Sequence, residues 1–397
     1  SGPEGESGPE GESGPEGESG PEGDGIRFPV GDLRHATRAA EAFFWPSNTD
    51  LNQLNIGLVG DLGTGKTQLL QALVAKLRRG AKESQGPPIS VLIIDYKGDF
   101  QNQSFLDAVG GEVLDPRRIP LDVFGISASD SDSDTDDERV QRSGAFIDVL
   151  TKIYGGIGPV QISNLEDALD EAWDTIGTSP TFENVLDLYL AKSGGPDAAS
   201  SIIKRFVRGR VFADDPTDFT SFEDLLADKV LVLALNKLRQ DQRGQNALVA
   251  MFLNHYYEYM MTRTKWNYRG NNPQLRTLNS YLVVDEATNI MRHEFEALGQ
   301  LLLQGREFGV GVALSSQYLS HFKEGGFDYK EPLNTWFIHK VPNIRRQELN
   351  ALGIPGATED VARKIQLLPI HEAYYSSFQF EGRFIRGTPF FEYRRTL

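Results

Sequence analysis

Gly60-x4-Gly65-Lys66-Thr67 sets two glycines, a lysine and a hydroxyl at the spacing of a phosphate-binding loop. Glycines let the backbone curl so that N–H groups point at phosphate oxygens, and a following helix N-terminus adds positive potential. The residues expected to hold the nucleotide are Gly60, Gly63, Thr64, Gly65, Lys66, Thr67 and Gln68. Lys66 would reach the β- and γ-phosphates, and Thr67 would hold Mg²⁺ through its hydroxyl. Such a loop needs a second magnesium-directing carboxylate at the tip of a neighbouring strand. SYLVVDEA (280–287) offers Asp285 for the metal shell and Glu286 to orient or deprotonate the attacking water. GVGVALSSQ (309–317) ends another apolar run at Gln317, where an amide beside the γ-phosphate would sense its presence. The chemistry such a set would suit is ATP hydrolysis with Mg²⁺.

Two competing patterns fail on chemistry. DYKG (95–98) and NKLR (236–239) resemble the D-x-x-G and N-K-x-D strings of GTPases. The last position of the second string must be a carboxylate that accepts from the guanine edge, and here it is Arg239, a donor. His293-Glu294 begins like a zinc-binding HExxH, but residue 297 is Ala, and there is no cysteine for thiolate ligation.

The elements that must position these residues are legible as apolar runs. NQLNIGLVG (52–60) and SVLIIDYKGDF (90–100) read as buried strands. TQLLQALVAKLRRG (67–80) carries one apolar helical face, at 69, 70, 73, 74 and 77. HATRAAEAFFWP (35–46) reads as a helix closed before Pro46. Further strands are expected at 229–235, 280–287, 309–317 and 334–341, with a long helix over 247–263. Apolar strands alternating with helices predict an α/β fold with a largely parallel central sheet covered on both faces. The expected organisation is an acidic Gly/Pro/Glu linker at 1–25, the first half of the core at 26–138, a helical insert at 139–225 and the second half at 226–397. The run SDSDSDTDDE (129–138) is expected to be a solvated loop closing the first half. The chain opens inside the SGPEGE repeat without a Met, so it is expected to be the C-terminal piece of a longer protein.

The net charge of −16 looks hostile to nucleic acid, but its location decides otherwise. Residues 1–25 and 129–138 hold fourteen of the sixteen excess negatives, leaving a near-neutral body that can bear basic patches. Such patches are sought in KRFVRGR (204–210) and in HFKEGGFDYK (321–330), although a plain solvated face is the favoured reading of both. No apolar run is long enough for a membrane span, and the absence of cysteine fits a reducing cytoplasm.

The order of these parts resembles the HerA/FtsK branch of RecA-like P-loop ATPases, which includes conjugation and secretion motors. The shared features are the D-x-x-G-[DE]-[FY] strand end at 95–100, the GR-x-x-G element at 305–309 and Gln317, over roughly 50–395. Within that branch, NQLNIGLVGDLGTGKTQLL is most similar to the C-terminal ATPase region of the helicase-like subunit of phosphorothioation-dependent DNA restriction systems. The resemblance implies a homo-oligomeric ring, usually a hexamer, with ATP between neighbours and double-stranded DNA in the pore. It implies an arginine reaching into the next subunit's site, for which Arg306 and Arg346, with Arg345 beside it, match the pattern. Asp99 stands where the family often has Glu, and its shorter side chain weakens a water-orienting role there. The expected function is a DNA translocase serving a restriction and defence complex. The alternatives are a secretion or conjugation motor of the same fold and a slow nucleotide-gated assembly switch.

Overall fold

The computed structural model describes residues 25–397 apart from 128–131, 239–241, 266–267, 270–271, 324–325, 355 and 378–379. The expected linker, except Gly25, and Arg239 therefore lie outside the described residues.

Thirteen strands are described: β1 (Phe28–Leu33), β2 (Glu41–Phe44), β3 (Ile56–Val59), β4 (Ser90–Asp95), β5 (Gly111–Leu114), β6 (Val230–Ala234), β7 (Tyr268–Arg269), β8 (Asn272–Arg276), β9 (Ser280–Val284), β10 (Val310–Ser316), β11 (Thr335–Ile338), β12 (Glu372–Ser377) and β13 (Phe380–Gly387). Eleven of them form one sheet in the order β2-β1-β13-β12-β11-β3-β10-β9-β4-β6-β5. The seven strands from β11 to β5 run parallel, and β12, β13, β1 and β2 extend the sheet antiparallel. The central strands are buried at every position because helices cover both faces. Their period-2 alternation divides the core in two: Val91 and Ile93 pack with the helix Lys66–Glu83, while Leu92 and Ile94 pack with the helices of the opposite face.

The helix Lys66–Glu83 follows β3 and buries Leu69, Leu70, Leu73, Val74 and Leu77 as one face. Five helices lie between β5 and β6: Asp132–Ile153, Pro159–Thr175, Phe182–Ser193, Ala198–Arg208 and Phe222–Leu226. The starts of Phe182–Ser193 and Ala198–Arg208 are capped by sequence-local chemistry. Thr181 accepts from the Asn184 N–H at 3.2 Å, and Asp197 accepts from the Ser200 N–H at 2.9 Å. A phenylalanine cluster centred on Phe182 joins them, with Phe212 stacked at 4.7 Å and Phe124 at 4.7 Å.

Two expectations are corrected. Residues 41–44 form β2, paired antiparallel with β1 through Phe28↔Phe44, so 35–46 is a hairpin arm and not a helix. Ala42 and Phe44 turn inward and Glu41 outward, which is a period of two. The acidic run becomes helical from Asp132 onward, while 129–131 lie outside the described residues. Carboxylates such as Asp134, Asp136 and Asp137 sit in the first turns of that helix, where its dipole favours negative charge.

Candidate functional site

Register brings the reactive residues to one edge of the sheet. β3 and β10 pair Val59 with Ser316, so Gly60 and Gln317 leave the sheet at the same level. β9 aligns with β10 through Val284↔Leu314 and with β4 through Val284↔Ile94. Asp285, Glu286 and the segment after Asp95 therefore emerge beside the loop. In parallel α/β sheets this C-terminal edge is where ligands bind.

The loop is held in a curl that only glycine tolerates at two points. Gly63 has φ 73° and Gly65 φ 102°. A Cβ on Gly65 would meet His371 Nδ1 at 2.6 Å, and one on Gly60 would meet the His339 Cβ at 2.6 Å. The Thr64 hydroxyl donates to the Asp61 carbonyl at 2.8 Å. The Thr64 carbonyl accepts from the His371 N–H at 3.1 Å and lies 3.1 Å from His339 Nδ1. The buried Lys66 ammonium donates to the Gly60 carbonyl, and to the Asp61 carbonyl at 3.0 Å. Burial lowers its pKa, and Asp285 and Glu286 oppose that shift.

Asp285 is buried at the tip of β9, and desolvation together with Glu286 raises its pKa to about 6. Glu286 adopts a left-handed backbone, φ 55°, which a non-glycine residue holds only under constraint from its surroundings. Its N–H donates to Asp285 Oδ1 at 3.1 Å. Its carboxylate forms an ion pair with Lys97 from the segment after β4. Lys66, Thr67, Gln68, Lys97, Asp99, Asp285 and Glu286 together line an open cleft of about 380 Å³, with Leu62, Ile370 and His371 on its wall. Burial raises the Asp99 pKa, and neighbouring Asp95 adds to it.

Other expected site residues are placed less centrally. Gln317 follows the last residue of β10, half-buried, and does not line this cleft. Gln68 accepts from the Phe391 N–H at 3.0 Å, so its side chain engages the C-terminal segment. Arg306 lies in the turn Gly305–Phe308 before β10, at the opposite edge of the sheet, where it donates to the Thr49 carbonyl at 3.0 Å. Arg345 and Arg346 start the helix Arg346–Ala351 beyond β11, exposed and apart from the cleft lining. Within the chain, neither arginine position reaches the loop's own cleft.

The D-x-x-G and N-K strings have a structural use. Asp95 accepts from the Gly98, Asp99 and Phe100 N–H groups at 2.8, 3.1 and 3.1 Å. Asn236 accepts from Gln101 Nε2 at 2.7 Å and packs where a Gly98 Cβ would sit. Among the described residues no group of three or more His, Asp or Glu could hold a metal. Thr67 and Asp285 are a hydroxyl and one carboxylate, the sparse oxygen set that Mg²⁺ takes when phosphates and water complete its shell.

The basic stretches divide by face. In the helix Ala198–Arg208, Phe206 is buried while Lys204, Arg205 and Arg208 are exposed. In 321–330, Phe322 and Tyr329 are core residues. His321 Nδ1 lies 2.6 Å from Ser316 Oγ and 2.8 Å from Thr288 Oγ1, tying the segment to the tip of β10. Lys97, His339 and His371 escaped sequence reading. A lysine inside D-x-x-G carries no signal of its own, and the histidines meet the loop only through strands far along the chain.

A family model of the type IV secretion-system coupling protein DNA-binding domain matches residues 43–118. Among solved structures, VirB4 of Thermoanaerobacter pseudethanolicus is similar with a TM-score of 0.69 at 14% identity, covering 94% of this chain and 98% of that one. The bacterial conjugative coupling protein TrwBdeltaN70 is similar with a TM-score of 0.54 at 15% identity, covering 91% and 90%. TrwB in complex with ADP and Mg²⁺ has a TM-score of 0.53 at 16% identity, covering 86% of each chain. No curated protein matches. The shared architecture is the RecA-like P-loop ATPase fold.

Proposed function

We propose that this chain hydrolyses ATP at the 60–67 loop and couples turnover to movement of double-stranded DNA. The observation that carries the reading is the register, which sets loop, Asp285-Glu286 and Gln317 at the ends of the adjacent strands β3, β10 and β9. A GTPase reading is disfavoured by Asn236, whose amide oxygen is taken by Gln101 Nε2 from the segment after β4.

In this mechanism the loop N–H groups and Lys66 hold the phosphate chain. Thr67 and Asp285 would hold Mg²⁺, which when bound neutralises charge on the β- and γ-oxygens. Glu286 accepts a proton from water as the water oxygen bonds to the γ-phosphorus. The bond from that phosphorus to the bridging oxygen breaks, and ADP leaves with the electron pair. Arg306 or Arg346 would complete the cleft of a neighbouring copy, since neither reaches its own. Stabilising developing phosphoryl charge in this way calls for a homo-oligomeric ring, read as a hexamer. Gln317 would report the lost phosphate through Ser316 and His321 to the 321–330 segment.

Similarity to VirB4 and to conjugative coupling protein favours a secretion or conjugation motor over the restriction-complex setting. The coupling-protein DNA-binding family match at 43–118 supports DNA as the partner. None of these similarities supports a restriction, antiviral or helicase role. Among the described residues no helix is long and apolar enough to cross a membrane.

Equilibrium binding of ADP and a non-hydrolysable ATP analogue tests the site. Wild type is expected to bind both with Mg²⁺, and Lys66→Ala to lose at least tenfold in affinity, the scale of a lost charge-assisted contact. Equal binding by the two proteins would contradict the assignment.

A further inference from the structure

Lys97 is a second cation in the cleft, and the mechanism above leaves it without a task. Its ammonium pairs with Glu286, the residue that must accept a proton from water. A carboxylate engaged by an ammonium is a poorer acceptor, because the cation stabilises its charged form. The pair joins two adjacent strand ends, the segment after β4 and the tip of β9.

The surroundings separate a fixed backbone from a movable side chain. Asp95 binds the N–H groups of Gly98, Asp99 and Phe100, and Gly98 turns at φ 90°, so the Lys97 backbone is pinned. The Lys97 side chain is 40% exposed, against 16% for Glu286. It opens into the same cleft as Gly63, Lys66 and Thr67. Lys66 is buried and its ammonium is held by two loop carbonyls, whereas the Lys97 ammonium is held by the Glu286 carboxylate. Asp285 and Asp99 also bear on Lys97, and Lys66 lines the same cleft and offsets part of that negative charge.

Resting on the nucleotide reading above, we propose that Lys97 is a γ-phosphate-binding residue that exchanges partners. Paired with Glu286, it restrains the base. Drawn to the terminal phosphate of a triphosphate, it releases the Glu286 carboxylate to take the water proton. A diphosphate lacks the competing charge and leaves the pair intact. Hydrolysis is thereby confined to a loaded cleft, and the cation that frees the base also marks the γ-phosphate.

The test compares affinities of the full chain for ADP and a non-hydrolysable ATP analogue, with folding checked by thermal melting. Lys97→Ala is expected to weaken the analogue about tenfold and ADP less than about twofold, as for loss of one charge-assisted contact. Lys97→Arg is expected to restore most of the difference. Glu286→Gln, which removes the competing partner, is expected to tighten the analogue selectively, and Lys97→Ala in the Glu286→Gln background to abolish that gain. Equal effects on both nucleotides, or a Glu286→Gln gain that survives loss of Lys97, would overturn the exchange. Failure of wild type to bind either nucleotide would overturn the nucleotide reading and this inference with it.

Discussion

Asp95 opens a string that reads as nucleotide chemistry, yet its carboxylate is saturated by its own loop. Fully buried, it accepts three backbone N–H groups and Gln101 Nε2 at 2.9 Å. Asp95→Ala would strand those donors, and we expect a loss of about 2–4 kcal/mol in denaturant unfolding. A loss below about 1 kcal/mol would contradict the assignment. At this scale the sequence was most informative where chemistry is local. The glycines of 60–65 and the Asp285-Glu286 pair declare themselves through spacing and strand context. The Lys97–Glu286 pair does not, because it depends on β4 and β9 being neighbours, a fact of topology. The imidazole of His339 at the Thr64 carbonyl is likewise invisible, since it reaches the loop from β11, 275 residues away.

Elements were legible where apolar runs were long. β3, β4, β6, β9, β10 and β11 all fall within the expected strands, and the helix after the loop lies where its apolar face predicts. The hairpin arm 41–44 was misread because Ala, Glu and Arg favour helices, whereas pairing with β1 decides the outcome. The antiparallel extension through β12 and β13 went unseen, since its alternation is interrupted by serine and glycine positions that read as turn. Packing between the helices Asp132–Ile153 and Gln242–Thr262 carries its own prediction. His255 is buried there, stacked near Phe222, and burial with nearby Arg142 lowers its pKa to about 3. Glu258 lies 4.0 Å away but is taken by Arg142 at 2.8 Å, so it does not reverse that shift. The unfolded chain therefore binds a proton below pH 6.5 that the folded chain refuses. Stability from neutral His255 is complete above that pH and falls as pH drops towards 3, by about 1.4 kcal/mol per pH unit. His255→Phe is expected to flatten the acid limb of the stability curve by that slope. An unchanged slope would show that His255 titrates freely in the fold.

At the scale of the whole molecule, the seven-residue strand β10 sets about 20 Å between Arg306 and the edge that carries the loop. A residue at the far edge of the sheet can complete a nucleotide site only on another copy. Arg306→Ala and Arg346→Ala, assayed separately, are expected to bind nucleotide normally, and whichever is the trans arginine to lose turnover by at least 10³-fold. Mixing that inactive variant with Lys66→Ala should restore part of the turnover, because some interfaces then pair an intact loop with an intact arginine. Mixtures that stay inactive for both arginines would remove the support for a shared site. Whole-molecule properties were the least legible in sequence, because contacts between copies would leave no local spacing to read. The acidic net charge likewise says little about partners, being concentrated in two short segments.

The central claim is tested most directly by steady-state ATP turnover of wild type and Glu286→Gln, with and without linear duplex DNA, alongside mass by light scattering. A DNA motor predicts a ring-sized species whose turnover rises on adding duplex and is abolished by Glu286→Gln without loss of ATP binding. Turnover that ignores DNA in a ring-sized species, or that persists in Glu286→Gln, would contradict it.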